Sequence, residues 1–224
     1  YKKNHLFCEG VKVEEICKNF STPFYLYSSK TLINNYKLLH KMLNGINFLI
    51  AYSVKANSNL SVLKTFAKYG AGADVVSIGE LKKALKAGIA NNKIVYSGVG
   101  KSKDEIAFAL KNKIEQFNVE SIEELETIAK IAEQINTSAN IALRVNPDIS
   151  AGGHPKISTG KKTDKFGIPI SEAKKVYELA KNFKSLKVVG IDIHIGSQIR
   201  HLTPFKKAFK KVLSFCMELD KLGF

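Results

Sequence analysis

Tryptophan is absent from this 224-residue sequence, and cysteine, methionine and arginine are scarce. The three cysteines, Cys8, Cys17 and Cys216, form no C-x-x-C pair and match no zinc-ligand spacing. Their sparse, odd number is typical of a reducing compartment, so we expect a cytoplasmic protein. The five histidines lie far apart and lack the i, i+4 spacing of a metal-binding helix. We therefore expect no metal site.

Long apolar runs are also missing from the sequence. No segment approaches the length of a transmembrane helix, and the N-terminal stretch YKKNHLFCEGVKVEE lacks the apolar core of a signal peptide. We therefore expect no membrane partner. Because the sequence opens on Tyr1 rather than methionine, we also expect that the true start lies upstream.

The net charge of +15 would suit a nucleic-acid-binding protein. However, only Arg144 and Arg200 are arginines, and arginine is the side chain best suited to recognise bases and phosphates. The lysines are scattered over helix-like segments such as GELKKALKAG and PFKKAFKKVL, where they indicate solvent-exposed faces. We therefore expect no nucleic-acid partner.

From residue 46 onward, short apolar runs alternate with segments of helical periodicity, several of which end at glycine. The apolar runs are INFLIAYSV, ADVVS, KIVYSG, EQFNV, NIALRV and LKVVGIDIHIG. We interpret them as continuously apolar strands covered on both faces, which is typical of a parallel sheet. The alternation predicts right-handed βα units, arranged either as a doubly wound sheet or as a (β/α)8 barrel.

Polar or chemically capable groups follow nearly every predicted strand, and this favours the barrel. They are Lys55, Ser77, the pair Ser97 and Gly98, Glu120, Asn146, and the stretch from His194 to Ser197. A barrel gathers the carboxyl ends of all its strands at one mouth, whereas an open sheet uses mainly its switch point. The sequence contains about six βα units, fewer than the eight of a closed barrel, so we predict an α/β fold with an incomplete TIM-type barrel.

We predict an N-terminal segment at residues 1–23 and a truncated barrel domain at residues 24–224. Residues 147–169 form a long, polar, glycine-rich stretch after a strand. Loops of this length are often lids or binding loops, so we predict a lid over the barrel mouth. The alternative is an ordinary surface loop.

Two nucleotide-binding motifs can be set aside. The segment SGVGKSKDE resembles a P-loop, but Val95 occupies the position of the first glycine of that motif. No G-x-G-x-x-G sequence follows a predicted strand. Neither a P-loop nor a dinucleotide-binding fold is therefore expected.

Lys55, in INFLIAYSVKANSN, lies where a buried strand would end. At an apolar barrel mouth, desolvation would disfavour the ammonium form, and the neutral amine is a nucleophile that forms Schiff bases with carbonyl compounds. The alternatives are a lysine that extends into solvent, or one paired with Asp74 or Glu80.

His194 also lies at the end of a predicted strand, where its ring could stack on a flat cofactor. Gly196 and Ser197 follow it and could offer a backbone N–H and a hydroxyl to an anion. The alternative is a histidine buried in the core.

Seven segments resemble motifs of the diaminopimelate decarboxylases, in that family's order and with compatible spacing. They are AYSVKANSN, GAGADVVSIGELKKALKAGI, IVYSGVGKS, FNVES, LRVNPDISAGGHPKISTG, DKFGIP and HIGSQI. The resemblance runs from about Thr22 to the end of the chain. More broadly, the chain is similar to fold-type III pyridoxal-phosphate enzymes, the class that includes alanine racemase and ornithine decarboxylase.

The resemblance implies site residues one by one. Lys55 would carry pyridoxal 5′-phosphate as a Schiff base, His194 would stack on the ring, and Lys55 and His194 would be the catalytic residues. The implied cofactor-binding residues are Lys55, Asp74, Glu80, Arg144, His194, Gly196 and Ser197. The implied lid residues are His154, Ser158, Thr159 and Gly160.

The implied reaction is decarboxylation of meso-2,6-diaminopimelate to L-lysine and carbon dioxide, the last step of lysine biosynthesis. The resemblance also implies a small amino acid as substrate and a homodimer when the protein is full length. The family's second half, with its glycine-rich phosphate loop and C-terminal β-domain, is absent from this sequence. We therefore expect this chain to be an inactive N-terminal fragment.

Two alternatives remain open at this point. One is a related decarboxylase that acts on ornithine, arginine or a carboxylated polyamine. The other is a non-catalytic pyridoxal-phosphate-binding barrel. The presence of Lys55, His194 and Ser197 disfavours an inactive site, and the long stretch at 147–169 disfavours a short barrel that only carries the cofactor.

Overall fold

A computed structural model describes residues 1–149 and 166–224 of the chain. The N-terminal part contains a short antiparallel pair, β1 (Phe7–Cys8) and β2 (Val11–Lys12), and two helices, α1 (Val13–Asn19) and α2 (Ser29–Met42). The Ser28 hydroxyl accepts a hydrogen bond from the Thr31 amide and so caps the start of α2.

The rest of the described chain alternates between strands and helices. The strands are β3 (Ala51–Ser53), β4 (Gly72–Val75), β5 (Ile94–Tyr96), β6 (Gln116–Val119), β7 (Ala139–Asn146), β8 (Ile168–Pro169) and β9 (Leu186–Asp192). The helices are α3 (Leu60–Lys68), α4 (Ile78–Lys86), α5 (Lys103–Lys111), α6 (Ile122–Gln134), α7 (Ile170–Ala180) and α8 (Thr203–Lys221). Two 3₁₀ turns, Val54–Ala56 and Asn91–Lys93, lie directly after β3 and before β5.

All strand pairs of the larger sheet are parallel. Strands β3, β4, β5, β6 and β7 lie side by side in chain order, and β9 pairs with the other edge of β7. The short β8 pairs only with the carboxyl end of β7, where Val145 is opposite Ile168. Strands β3 to β7 and β9 therefore follow one another in chain order across the sheet, and a helix follows each of them, after the short β8 in the case of β7. This order confirms the predicted incomplete barrel of about six βα units.

The prediction of continuously apolar strands was wrong for β4 and β6. Within β4, Ala73 and Val75 are fully buried in the main hydrophobic cluster, whereas Asp74 between them lines a cavity. Strand β6 alternates in the same way, with Phe117 in the cluster and Asn118 on the cavity. The inner face of the barrel is polar near the carboxyl ends of the strands, so the strands alternate between two environments.

The hydrophobic core lies between the outer face of the sheet and the helices that cover it. Fully buried leucine and isoleucine side chains from successive helices fill this layer, among them Leu63, Leu81, Ile106, Leu125 and Ile128. Each of these helices packs one apolar stripe against the sheet, and the sheet in turn fixes where each strand ends. The core thus determines the positions of the loops at the barrel mouth.

Some large apolar side chains remain exposed, as expected for an incomplete barrel. Phe209, Leu213 and Met217 recur every four residues along α8 and are 56–66% exposed, and Val189 in β9 is 43% exposed. None of the helices in the described part of the chain is long and apolar enough to cross a membrane.

Candidate active site

The carboxyl ends of the parallel strands surround a cavity of about 690 Å³. This volume lies within the range of small-molecule sites. Five of the predicted site residues line it: Lys55, Asp74, Arg144, His194 and Ser197. They come from four different strand ends that are far apart in the sequence, and the parallel sheet brings them together.

Lys55 lies in the 3₁₀ turn that directly follows β3. Val54 beside it is fully buried and anchors the turn, while Lys55 itself is exposed. The burial that the sequence argument assigned to this amine is therefore not observed. The predicted alternative of an ion pair with Asp74 or Glu80 is also not observed among the described residues. The amine is accessible at the rim of the cavity.

Asp74 is held by a chain of polar side chains that crosses four neighbouring strands. Its carboxylate accepts hydrogen bonds from the hydroxyls of Ser53 (3.0 Å) and Ser97 (2.6 Å). The amide of Asn118 donates to the Ser97 oxygen at 3.0 Å, and Gln116 donates to Asn118 at 2.8 Å. Because each of these groups is held by a neighbour, the Asp74 carboxylate has a fixed orientation in the cavity wall.

Arg144 lies on β7, inside the cavity. Its guanidinium donates to Oε1 of Glu120 at 2.6 Å, and Phe166 lies 5.5 Å from it, ring centroid to Cζ. The other oxygen of Glu120, Oε2, is buried and has no hydrogen-bond partner among the described residues. A buried acceptor of this kind favours a donor from a ligand or a bound water at this position.

The surroundings change the pKa values of two ionisable side chains at the end of β9, Asp192 and His194. Burial raises the pKa of Asp192 to about 6, and Arg144 only partly offsets this effect. Burial also lowers the pKa of His194, and the positive charges of Arg144 and Lys55 lower it further. The lowered pKa favours the neutral imidazole form of His194 at pH 7, a form that can stack on a flat ring.

Two predicted site residues, Glu80 and Gly196, do not line the cavity. Oε2 of Glu80 accepts a hydrogen bond from the Val76 amide at 2.9 Å, and the Glu80 amide donates to Ser77, the N-cap of α4. Glu80 thus holds the turn after β4 in a capping arrangement. Gly196 has a φ of 135°, a conformation that favours glycine, and it lies between the cavity residues His194 and Ser197 without lining the cavity itself.

The lid residues His154, Ser158, Thr159 and Gly160 lie outside the described residues. The lid therefore stays a prediction. No group of three or more histidine, cysteine, aspartate or glutamate side chains suited to a metal ion occurs in residues 1–149 and 166–224.

Sequence reasoning missed several residues of the cavity wall, chiefly Gln116, Asn118, Phe166 and Asp192. A signal for two of them was available. In a strand, residues two apart point to the same face. Asn118 lies two residues before Glu120, and Asp192 two before His194, so both share a face with a residue already recognised as a strand-end polar group.

The family model described as "Pyridoxal-dependent decarboxylase, pyridoxal binding domain" matches residues 29–224. The chain belongs to this family. Its cofactor is therefore pyridoxal phosphate, in agreement with the sequence-based expectation.

Curated relatives and solved structures agree with this assignment. The diaminopimelate decarboxylase of Pseudomonas aeruginosa is 46% identical over 223 residues, which are 100% of this chain and 54% of that protein. The enzyme of the same name from Aquifex aeolicus is 44% identical and is covered to 53%. The chain thus spans about half the length of the curated relatives it matches.

Among solved structures, diaminopimelate decarboxylase from Helicobacter pylori in complex with L-lysine matches with a TM-score of 0.92 and 45% identity, over 94% of this chain and 54% of that one. The diaminopimelate decarboxylase from M. jannaschii, also in complex with L-lysine, matches with a TM-score of 0.91 and 38% identity, over 100% of this chain and 53% of that one.

The cavity residues fit a pyridoxal cofactor. The volume of about 690 Å³ admits a small aromatic ring with its phosphate, and the wall supplies an accessible amine, a neutral imidazole and a serine hydroxyl. The unpartnered oxygen of Glu120 leaves room for a further polar contact. These are the donor and acceptor types that an aldehyde, a flat ring and a phosphate require.

Proposed function

We propose that this chain forms the cofactor-binding half of a diaminopimelate decarboxylase, an enzyme that converts meso-2,6-diaminopimelate to L-lysine and carbon dioxide. The observation that carries the proposal is the convergence of Lys55, Asp74, Arg144, His194 and Ser197 on one cavity. Identities of 43–46% to proteins named diaminopimelate decarboxylase, over nearly the whole chain, support this substrate over other amino acids.

Each residue has a role that follows from its position. Lys55 would hold the cofactor through its amine, since it is the lysine that lines the cavity in the described part of the chain. Neutral His194 would stack on the cofactor ring without adding a positive charge beside it. Ser197 would donate its hydroxyl to the phosphate, helped by the open backbone at Gly196.

The two charged side chains deeper in the cavity, Asp74 and Arg144, would orient polar groups of cofactor or substrate. Both are fixed in advance, Asp74 by two serine hydroxyls and Arg144 by Glu120. Fixed groups lose little freedom when a ligand binds, so Arg144 would orient an anionic group, and Asp74 a hydrogen-bond donor, at low cost. When bound there, pyridoxal phosphate would supply an electron sink for the carbon that loses carbon dioxide.

Glu80 would act indirectly, through the turn after β4 that it holds. We also propose that residues 24–224 form the truncated barrel domain and that the stretch predicted as a lid, residues 147–169, covers the cavity up to the point where its last two residues form β8. We further propose that the full-length protein is a homodimer and lies in the cytoplasm. The exposed apolar side chains of α8 are consistent with further protein contacts, and light scattering of the full-length protein would give the number of subunits.

The proposal is tested by measuring carbon dioxide release from meso-diaminopimelate by the full-length gene product with added pyridoxal phosphate. We expect release by the wild type and by the control Lys64→Ala, since Lys64 is an exposed lysine on α3 outside the cavity. We expect none from Lys55→Ala. Retained release in Lys55→Ala would contradict the role of Lys55.

The same assay separates the alternatives. Release from ornithine or arginine but not from diaminopimelate would identify a related decarboxylase. A wild type that binds the cofactor but releases carbon dioxide from no amino acid tested would identify a non-catalytic barrel.

A further inference from the structure

Lys101 is a buried lysine that the proposed function does not use. Its side chain is 1% exposed, and it lies just after β5, in the segment that resembles a P-loop. Its ammonium donates to the carbonyls of Gly98 at 2.7 Å and Asn118 at 2.8 Å, and to the carboxylate of Glu124 at 2.5 Å. The three hydrogen bonds match the three donors of an ammonium group.

Glu124 uses both of its carboxylate oxygens. Oε1 accepts from Lys101, and Oε2 accepts from the backbone amide of Glu120 at 3.0 Å. Glu124 is the last residue of the sequence Ser-Ile-Glu-Glu that caps α6, so the helix fixes it in place. The carboxylate therefore joins the lysine to the end of β6.

This connection continues into the cavity. Glu120, whose amide is held by Glu124, accepts from Arg144 through its own carboxylate at 2.6 Å. Lys101 also holds Gly98, the neighbour of Ser97, and Ser97 in turn donates to Asp74. A single ammonium group is thus connected to both fixed charges of the candidate active site.

The capping motif alone does not explain the lysine. The same Ser-x-x-Glu sequence begins α4 and α5, where Glu80 and Glu105 also accept backbone amides. In the part of the chain that the structure describes, neither of these glutamates forms an ion pair with a lysine. Burying an ion pair seldom stabilises a fold more than apolar packing would, so the pair at α6 is better explained by the geometry that it imposes.

We propose that Lys101 and Glu124 are positioning residues of the active site, which fix Glu120 and so orient the guanidinium of Arg144 in the cavity. This inference rests on the proposed function only in that pyridoxal phosphate is the probe. The arrangement predicts that changing the pair weakens cofactor binding through Glu120 rather than by general loss of the fold.

The test uses full-length protein and titration with pyridoxal phosphate, followed by its absorbance. Glu124→Gln is the first variant, because glutamine keeps the size but has one acceptor oxygen where the structure uses two. Lys101→Met is the second. Lys93→Met is the control, since the ammonium of Lys93 also donates to a glycine carbonyl, Gly70, and Lys93 does not line the cavity.

We expect the cofactor dissociation constant to rise roughly tenfold in Glu124→Gln, equivalent to about 1.4 kcal/mol, and not to change in the control. In a Glu120→Gln background the same substitution should change it by less than about twofold, because the coupled residue is already altered. A full tenfold loss in both backgrounds would overturn the inference. A loss of thermal stability without any change in cofactor affinity would also overturn it.

Two further measurements keep the outcomes distinct. If Lys101→Met does not fold, Glu124→Gln alone decides the question. If the wild type does not bind pyridoxal phosphate, the proposed function fails, and crystal structures of the wild type and Glu124→Gln then decide the inference. Loss of the Glu120–Arg144 hydrogen bond in the variant would support positioning, and an unchanged pair would contradict it.

Discussion

Asp192 offers a prediction in which both the sign and the size follow from the structure. Burial raises its pKa from 3.8 to about 6, so the folded protein binds a proton at this site more tightly than the unfolded chain does. Stability from this group is therefore fully present below about pH 4 and is lost as the pH rises toward 6. Each tenfold change in proton affinity corresponds to about 1.4 kcal/mol, so the ionised carboxylate costs up to about 3 kcal/mol at pH 7.

The substitution Asp192→Asn removes this cost and keeps the size of the side chain. We expect the apo form of the full-length variant to be more stable than the wild type in urea at pH 7. The difference in free energy of unfolding should grow by roughly 1 kcal/mol between pH 5 and pH 7. Groups that do not interact with Asp192 titrate alike in both proteins, so the difference reports on Asp192 together with the charges coupled to it.

The control is Asp220→Asn, at an exposed aspartate on α8. We expect the stability difference of this variant from the wild type to be nearly the same at pH 5 and pH 7. A difference for Asp192→Asn that does not change with pH, or that shrinks as the pH rises, would refute the assignment of a buried carboxylate at this position.

Two further predictions concern the packing that holds the cavity in shape. In Gly72→Ala the new Cβ would lie 2.2 Å from the Lys93 carbonyl oxygen, so we expect the free energy of urea unfolding to fall by about 1–3 kcal/mol or more. A decrease below about 0.5 kcal/mol would contradict the close approach of Gly72 in β4 to Lys93. Leu125 is fully buried, so Leu125→Ala should lower the free energy of unfolding by about 2–5 kcal/mol. Leu213 on α8 is 62% exposed, so Leu213→Ala should change it by less than about 0.5 kcal/mol. Equal losses for the two leucines would contradict the described core.

The repeated pattern of strand and helix was readable from the sequence because glycine stops and apolar runs mark each unit. The same apolar runs gave no sign that the inner face of the barrel carries polar side chains. ADVVS, for example, reads as apolar although Asp74 points into the cavity, because Ala73 and Val75 on either side of it are buried in the core. The incomplete barrel and several polar groups at its mouth could therefore be predicted, but not the polar side chains within the strands, such as Asn118.

For the site, the sequence predicted residues at the ends of strands better than residues within them. Lys55 and His194 stand out because each follows an apolar run and precedes small polar residues. The exposure of Lys55 and the capping role of Glu80 depend on how the turns fold, and no spacing in the sequence reports that. The connection from Lys101 to Arg144 joins three separate strand ends and is visible only in three dimensions.

The most direct test of the central claim is to locate the cofactor on the chain. Full-length protein would be incubated with pyridoxal phosphate, reduced with borohydride to make the cofactor–lysine bond permanent, digested and analysed by mass spectrometry. We predict that the pyridoxyl group lies on the peptide containing Lys55 and that Lys55→Ala gives no adduct at this peptide. An adduct spread over the many exposed lysines, with none enriched at Lys55, would contradict the account.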